Sequence, residues 1–351
     1  MQAEIWSNHR LLLSLWLIEK QKLVIMNKKK CPYCGSPITK RNGTRNGVQL
    51  YKCQACGRQF RAGEKLSDER LWQLYQEQKQ TASEIATTVE VSRSTISRRL
   101  KKIDVEWRQP SLRGMSGFVH LDVTYWGHNW GVLLALDNAS NKPLYMSFVQ
   151  AEKNSDYELA IQIIRENGYE IRGIIIDGKR GLFTMFAEYK IQMCHYHMKQ
   201  IVFRYLTKNP RLKAAIALEV LINRLTKITK DEFIHAYDEW KYTYSDAINK
   251  RSTSKRSGKE HYTHRRLRTA MHSIDFYLPY LFTYQEDCCK GMPNTNNKIE
   301  GTFTDLKKNL NTHSGMSKQS RKRFINGFFL ALESNSANQN SSESKPTADT
   351  L

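Results

Sequence analysis

Three acids in this chain stand where a carboxylate needs a partner. Asp122 lies inside the alternating run FVHLDVTYWG, with His120, Asp122 and Thr124 on one face of a strand and Leu121, Val123 and Tyr125 on the other. A carboxylate in mid-strand is costly to bury unless it is paired or bound to a metal. Asp177 follows Ile174, Ile175 and Ile176, a strand with both faces buried. Taken alone, its Asp-Gly pair also reads as a turn or a helix cap. Glu300 opens a helix in which Ile299, Phe303, Leu306 and Leu310 form the apolar stripe, and Lys307 lies two turns further along on the same side. The competing reading makes Asn297 the N-cap and Glu300 its capping-box partner. Two carboxylates on adjacent parallel strands can share a divalent cation, and a third completes a two-metal site. Asp137 is a rival acid, but DNAS after a strand has the form of an Asx turn.

A second set of ligand types lies near the amino terminus. Cys31-Pro-Tyr-Cys34 and Cys53-Gln-Ala-Cys56 are separated by eighteen residues. Each pair is followed by a glycine, and two such knuckles can set four thiolates tetrahedrally around one zinc. The stretch GTRNGVQLYKC between them reads as a hairpin with Asn46-Gly47 as its turn. This is a zinc-ribbon pattern with one structural Zn2+ on Cys31, Cys34, Cys53 and Cys56. Four of seven cysteines in two such pairs indicate metal binding in a reducing compartment.

The elements around these residues follow from periodicity. In residues 66–106, Leu71, Leu74 and Tyr75 mark one amphipathic helix. Thr81 and Glu84 form a capping box on a second, and after a turn at Glu90-Val91, Ser92 opens a third carrying Ile96 and Leu100. This is helix-turn-helix spacing. The third helix presents Arg93, Ser94, Thr95, Arg98 and Arg99, residue types that reach base edges and phosphates. Charge agrees: the chain carries 55 Lys and Arg against 34 Asp and Glu, a net +21. Such an excess implies a polyanionic partner, double-stranded DNA first of all. No run of eighteen apolar residues exists to span a membrane. LLLSLWLI (11–18) is too short and lacks a cleavage site. Met26 is the simpler start, with residues 1–26 an extension without a role.

The expected organisation is multidomain α/β. A ribbon (27–62) and a helix-turn-helix (66–106) precede a Pro/Gly/Ser linker (107–116). Three meandering strands and then alternating helices and strands give a ribonuclease H-like core (117–330), interrupted by an all-helical insertion at about 200–290 that contains a basic, Ser-rich loop (250–260). A helix is expected at 154–168 and another at 181–189. Residues 333–351 lack aromatics and form a disordered tail. Trp240, Tyr242 and Tyr244 either stack on unpaired bases or belong to a core. Lys179 and Arg180 either hold a phosphate or form a solvated pair, and Cys194 with His197 also reads as a packed thiol beside a hydrogen-bonded imidazole.

The order Asp122, Asp177, Cys194-x-x-His197, a helical stretch, and Asn-Asn-x-x-Glu300 with Lys307 seven residues on resembles the mutator-type DDE transposases of bacterial insertion sequences, over roughly residues 27–330. The ribbon and helix-turn-helix look like the arm some of them carry to bind terminal inverted repeats. The resemblance implies that Asp122, Asp177 and Glu300 hold two Mg2+ or Mn2+ ions for strand cleavage and strand transfer. It also implies that Lys307 meets a phosphate, that Cys194 and His197 support the site, and that the protein works as a homodimer or larger assembly on DNA in the cytoplasm, associated with the nucleoid. The alternative is a DNA-binding regulator whose core is inactive.

Overall fold

The computed structural model describes residues 30–31, 33–45, 48–61 and 66–342. The expected extension at 1–26, the Asn46-Gly47 turn and the end of the tail (343–351) lie outside the described residues. The chain divides into two compact units, Met1–Asp104 and Val105–Leu351.

In the first unit, β1 (Thr39–Arg45) pairs antiparallel with β2 (Val48–Cys53), with Arg45 opposite Val48. β3 (Gln59–Arg61) pairs with the other edge of β2. Among the described residues, the core beneath is Cys31, Cys53 and Phe60, with Tyr51 stacked on Phe60 at 5.9 Å between ring centroids. So little apolar burial cannot hold three strands alone. Three helices follow: α1 (Asp68–Gln76), α2 (Ala82–Thr88) and α3 (Arg93–Lys102). Ser67, Thr81 and Ser92 cap their N-termini, Thr81 with Glu84 in a full capping box. Leu71, Leu74, Ile85, Ala86, Ile96 and Leu100 close their shared core. Between α2 and α3, Glu90 takes φ 53°, and the N–H of Val91 reaches back to the carbonyl of Ala86 at 3.0 Å, a Schellman closure with glutamate where glycine is usual.

The second unit is built on a mixed five-stranded sheet. β4 (Ser116–Tyr125), β5 (Gly131–Asp137) and β6 (Pro143–Val149) form an antiparallel meander. β7 (Glu170–Ile176) and β8 (Ile191–Met193) then add parallel to β4, giving the order β6-β5-β4-β7-β8. Every residue of β5 is buried, and so is the last half of β7, so both faces are covered. Each fully buried isoleucine of Ile174–Ile176 contributes roughly 1.5–3 kcal/mol. On one face α4 (Asn154–Glu166) lays Tyr157, Ala160, Ile161 and Ile164 against Val119, Leu121, Ile174 and Ile176. On the other face Phe118 and Ile175 meet Cys289 and Met292.

Beyond the sheet come α5 (Arg180–Met185), α6 (His195–Leu206), α7 (Lys213–Asn223), α8 (Lys230–Thr243) and α9 (Ser245–Asn249). A β9–β10 hairpin (Arg251–Thr253, Glu260–Tyr262) leads into α10 (Arg265–Leu281), and α11 (Asn297–Thr312) and α12 (Lys318–Ser342) complete the unit.

Four expectations need correction. The loop at 250–260 is largely this hairpin, with His261 opposite Ser252, so the insertion is not all helical. The helix expected at 181–189 ends at Met185, because Phe186 leaves helical geometry. Residues 107–116 are no free linker: Trp107 and Leu112 are buried, and the Leu112 N–H donates to the Asn167 carbonyl at 3.0 Å. The tail expected from 333 continues α12 through Ser342. Trp240 is core, its Nε1 donating to the Ala214 carbonyl at 2.8 Å, whereas Tyr242 is exposed.

Candidate metal centre and nucleic-acid interface

Sheet register brings the first two acids together. In the parallel pair β4–β7, His120 stands opposite Ile175. The ladder stops there and β7 ends at Ile176, and Asp177, the next residue, comes near enough for its charge to act on Asp122. Asp122 Oδ1 accepts the N–H of Val123 at 2.7 Å, and Asp177 Oδ1 accepts that of Lys179 at 3.1 Å. The turn reading of Asp177 is thus also correct, since the same carboxylate closes an Asx-type turn. The chain is closely packed at Gly178: a Cβ there would lie 2.5 Å from Ile201 Cδ1, the movable end of that side chain. The Tyr277 hydroxyl donates to the Gly178 carbonyl and fixes the chain just past the acid.

The electrostatics are those of crowded carboxylates. Asp122 keeps a little surface but is packed deeply enough that burial, and then the charges of Asp177, Glu300 and Glu152, push it up to about 8. Asp177 is raised as well, by burial first, with Glu152 adding to it and His197 and Lys179 opposing. Glu152, on the segment between β6 and α4, is an acid that sequence reading missed. It accepts the Tyr157 hydroxyl at 2.9 Å and pairs with Lys179 Nζ at 3.3 Å. Nothing in VQAEKNSD marks it, because its place depends on where β6 ends.

Glu300 reaches the cluster from α11. The helix begins at Asn297 with Asn296 as N-cap, and no side chain caps it, so the capping-box role for Glu300 does not hold. The Asn296 side chain turns into the sheet instead. His120 Nδ1 donates to Asn296 Oδ1 at 2.7 Å, and Asn296 Nδ2 donates to the Leu121 carbonyl at 3.3 Å, all fully buried. His120 Nε2 lies 3.1 Å from Asn138 Oδ1. This amide fastens the start of α11 to β4, one residue before Asp122. Its backbone N–H donates to Cys194 Sγ at 3.2 Å, which ties α11 to the start of α6. His197, one turn into α6, stands with Nδ1 3.8 Å from Glu300 Oε1. Ligand atoms of Cys194, His197 and Glu300 all lie within 4.8 Å of one another.

The remaining site candidates fall as follows. Lys307 is exposed two turns along α11. Asp137 is engaged elsewhere: Oδ2 accepts the Ser140 N–H at 2.7 Å in an Asx turn, and Oδ1 accepts the Tyr169 hydroxyl at 2.5 Å. Lys179 and Arg180 are not a free solvated pair. Lys179 is bound to Glu152, and the Arg180 guanidinium lies 4.7 Å over the Phe276 ring.

In the first unit, Cys31 and Cys56 Sγ are 3.6 Å apart, as are Cys34 and Cys53, and all four sulfurs lie within 4.8 Å of one another. A tetrahedron of zinc–sulfur bonds asks for about 3.8 Å between sulfurs. The two knuckles repeat one geometry: Gly35 donates to the Cys31 carbonyl and Gly57 to that of Cys53, each glycine at φ 72°. The four thiols divide their protons unequally: backbone N–H groups, that of Cys56 foremost, pull the Cys53 thiol down to about 6, whereas burial and the neighbouring sulfurs push Cys34 up to about 12.

On α3, Arg93, Ser94 and Arg98 are exposed. Thr95 is half-buried and its hydroxyl sits 2.9 Å from Ser92 Oγ in the cap. Arg99 is engaged within the unit. Its guanidinium donates to Asp68 Oδ1 from Nε at 2.9 Å and to the Leu66 carbonyl from an Nη at 2.5 Å, so it braces α3 against the entry to α1.

No protein-family model matches the chain, and no curated protein matches it. Solved structures similar to it include the Drosophila P element transposase strand transfer complex, at 9% identity and TM-score 0.29, covering 79% of this chain and 93% of that one. Another is a chain of the simian T-cell lymphotropic virus intasome in complex with PP2A regulatory subunit B56 gamma, at 12% identity and TM-score 0.19, covering 46% of this chain and 69% of that one. Among the described residues no helix is long and apolar enough to cross a membrane.

Proposed function

We propose that this chain is a transposase of the DDE type, a metal-dependent DNA strand-cleavage and strand-transfer enzyme with a ribonuclease H-like core, and that Asp122, Asp177 and Glu300 are its catalytic acids. The observation that carries this reading is the crowding at Asp122: burial first, and then the charges of Asp177, Glu300 and Glu152, push this carboxylate up to about 8, and a divalent cation held among these acids would favour their charged forms. An all-oxygen donor set of this charge suits Mg2+ or Mn2+. The strand order β6-β5-β4-β7-β8 supports the ribonuclease H-like reading.

Two such ions, when bound, activate the attacking oxygen and stabilise the leaving oxygen in an in-line displacement at phosphorus. The chain supplies the rest. Asp122 and Asp177 present oxygens from adjoining strands of a rigid sheet. Asn296 sets Glu300 beside them through the first turn of α11. Lys307, exposed on the same helix, meets a DNA phosphate. In the amino-terminal unit, Zn2+ on Cys31, Cys34, Cys53 and Cys56 holds the ribbon, while Arg93, Ser94 and Arg98 of α3 face the groove of a terminal repeat. Transposition joins two ends, which calls for at least a homodimer on double-stranded DNA.

The test is cleavage of DNA carrying the ends of the chain's own element. Asp122→Ala, Asp177→Ala and Glu300→Ala are expected to abolish Mg2+-dependent cutting and leave end binding intact. A normal cutting rate from Asp177→Ala overturns the assignment. End binding by a wild-type chain that never cuts, with either Mg2+ or Mn2+, favours the regulator instead.

A further inference from the structure

The cysteine-histidine pair at the start of α6 has more in common with the zinc knuckles of the amino-terminal unit than its spacing alone implies. In the ribbon, Cys31 Sγ accepts the N–H two residues on, at Tyr33, at 3.4 Å. Cys53 is drawn toward its thiolate by the N–H groups of Ala55 and Cys56, two and three residues on. Cys194 has the same donors but not the same balance: the N–H groups of Tyr196 and His197, again two and three residues on, face its sulfur and the Asn296 N–H adds a third donor at 3.2 Å, yet burial outweighs them and holds the thiol up to about 11. The three donors offset only part of that burial, so the thiol keeps its proton until a metal displaces it.

The neighbours of that sulfur are also ligand atoms. His197 Nδ1 and Glu300 Oε1 are buried at the atom level, 3.8 Å apart, and neither has a hydrogen-bond partner. With Cys194 Sγ they form a group within 4.8 Å. A tetrahedral ion with ligand distances of about 2.0–2.3 Å brings its ligands to about 3.3–3.7 Å of each other, a small closing movement from here. The orphaned nitrogen and oxygen are what such an ion satisfies; without one, two buried polar atoms lack partners.

We propose that Cys194, His197 and Glu300 form a second transition-metal site, taking Zn2+ through one sulfur, one imidazole nitrogen and one carboxylate oxygen. Its fourth position is open to water. Thiolate and imidazole select a borderline-soft ion and reject Mg2+, so the site is chemically distinct from the all-oxygen cluster beside it. Glu300 belongs to both and has one oxygen for each. The Cys194 proton leaves to solvent as the metal binds, so occupancy falls in acid. The site stands on these three side chains whether or not the chain cuts DNA.

The test counts metal in the full-length chain, purified under reducing conditions with zinc supplied and the excess removed by gel filtration, using native mass spectrometry and elemental analysis. Wild type is expected to hold two Zn2+ per chain. His197→Ala, at a half-exposed side chain that no core depends on, is expected to hold one, as is Cys34→Ser in the ribbon, and the double variant none. Co2+ loading gives an independent readout: the thiolate-to-cobalt absorption falls by about one sulfur in five on Cys194→Ser. Circular dichroism confirms that each variant is folded. A wild-type count of one overturns the proposal. So does a count of two that survives His197→Ala, and if Cys288→Ser then lowers that count, the second ion belongs to the Glu286, Cys288 and Cys289 group instead.

Discussion

Asn296 Oδ1 takes a hydrogen bond from His120 Nδ1 at 2.7 Å, joining the N-cap of one helix to the middle of a strand far away in sequence. Both side chains are fully buried. The bond sets how far Glu300, one turn into α11, stands from Asp122. Replacing Asn296 by Ala leaves the imidazole and the Leu121 carbonyl short of partners, a cost of about 1–3 kcal/mol. Urea unfolding is expected to show that loss, and cleavage to fall further than the stability loss explains. Full cleavage by a destabilised Asn296→Ala chain would remove the positioning role.

The raised Asp122 makes a prediction about pH and metal together. Its ordinary value is 3.8 and its folded value about 8, so the metal-free folded chain holds a proton that the unfolded chain has released. Stability from this group is complete below pH 4 and drains away as pH rises toward 8. Thermal melting without divalent ions should fall across that window. Asp122→Asn should flatten the fall and be the more stable protein at pH 8, by on the order of a few kcal/mol. Mg2+ should restore the wild type more strongly the higher the pH. A wild-type melting point indifferent to both contradicts the crowded-acid picture.

Two adjacent arginines of α3 should separate in experiment. Arg98 is exposed, and Arg98→Ala should weaken DNA binding while reducing its salt slope by about one, with melting unchanged. Arg99 is tied to Asp68 and the Leu66 carbonyl, so Arg99→Ala should cost about 1 kcal/mol of stability first. Equal melting points for the two variants would contradict this division of labour.

Glu90 offers a gain. It occupies the left-handed region at φ 53°, where a side chain costs roughly 1 kcal/mol. Glu90→Gly should raise the stability of the helical region by about that amount in chemical denaturation. A loss instead would mean the Glu90 side chain makes a contact that matters more than its backbone strain.

The ribbon should behave as a metal-dependent fold. Among the described residues its core is three side chains and a stacked tyrosine, so chelation or Cys53→Ser should erase the β1–β3 signals in amide exchange and weaken DNA binding. Undiminished affinity after complete zinc removal would take the ribbon out of the DNA-binding interface.

What the residues wrote locally was readable. The Thr81–Glu84 capping box, the Ser92 cap, the two cysteine knuckles and the buried Ile174–Ile176 strand each state their geometry within a few residues, since caps, turns and periodicity are short-range. The bracing contact of Arg99 was not legible, because its sequence neighbours say only that it is basic and its partner Asp68 stands on another helix. Glu152 carried no signal at all.

The order of strands and the chemical types of the site were therefore set by the sequence alone: acids at strand and helix ends, thiols in pairs, a third helix rich in arginine. Which of those groups meet was decided only in three dimensions. The β4–β7 pairing brings Asp177 near enough to act on Asp122, and the buried Asn296 amide chooses where α11 lands, which delivers Glu300 to the acids and to His197 at once. Register and docking are fixed by contacts between segments that know nothing of each other until the sheet is assembled, because a hydrogen bond across the core depends on the positions of both partners and is encoded in neither one.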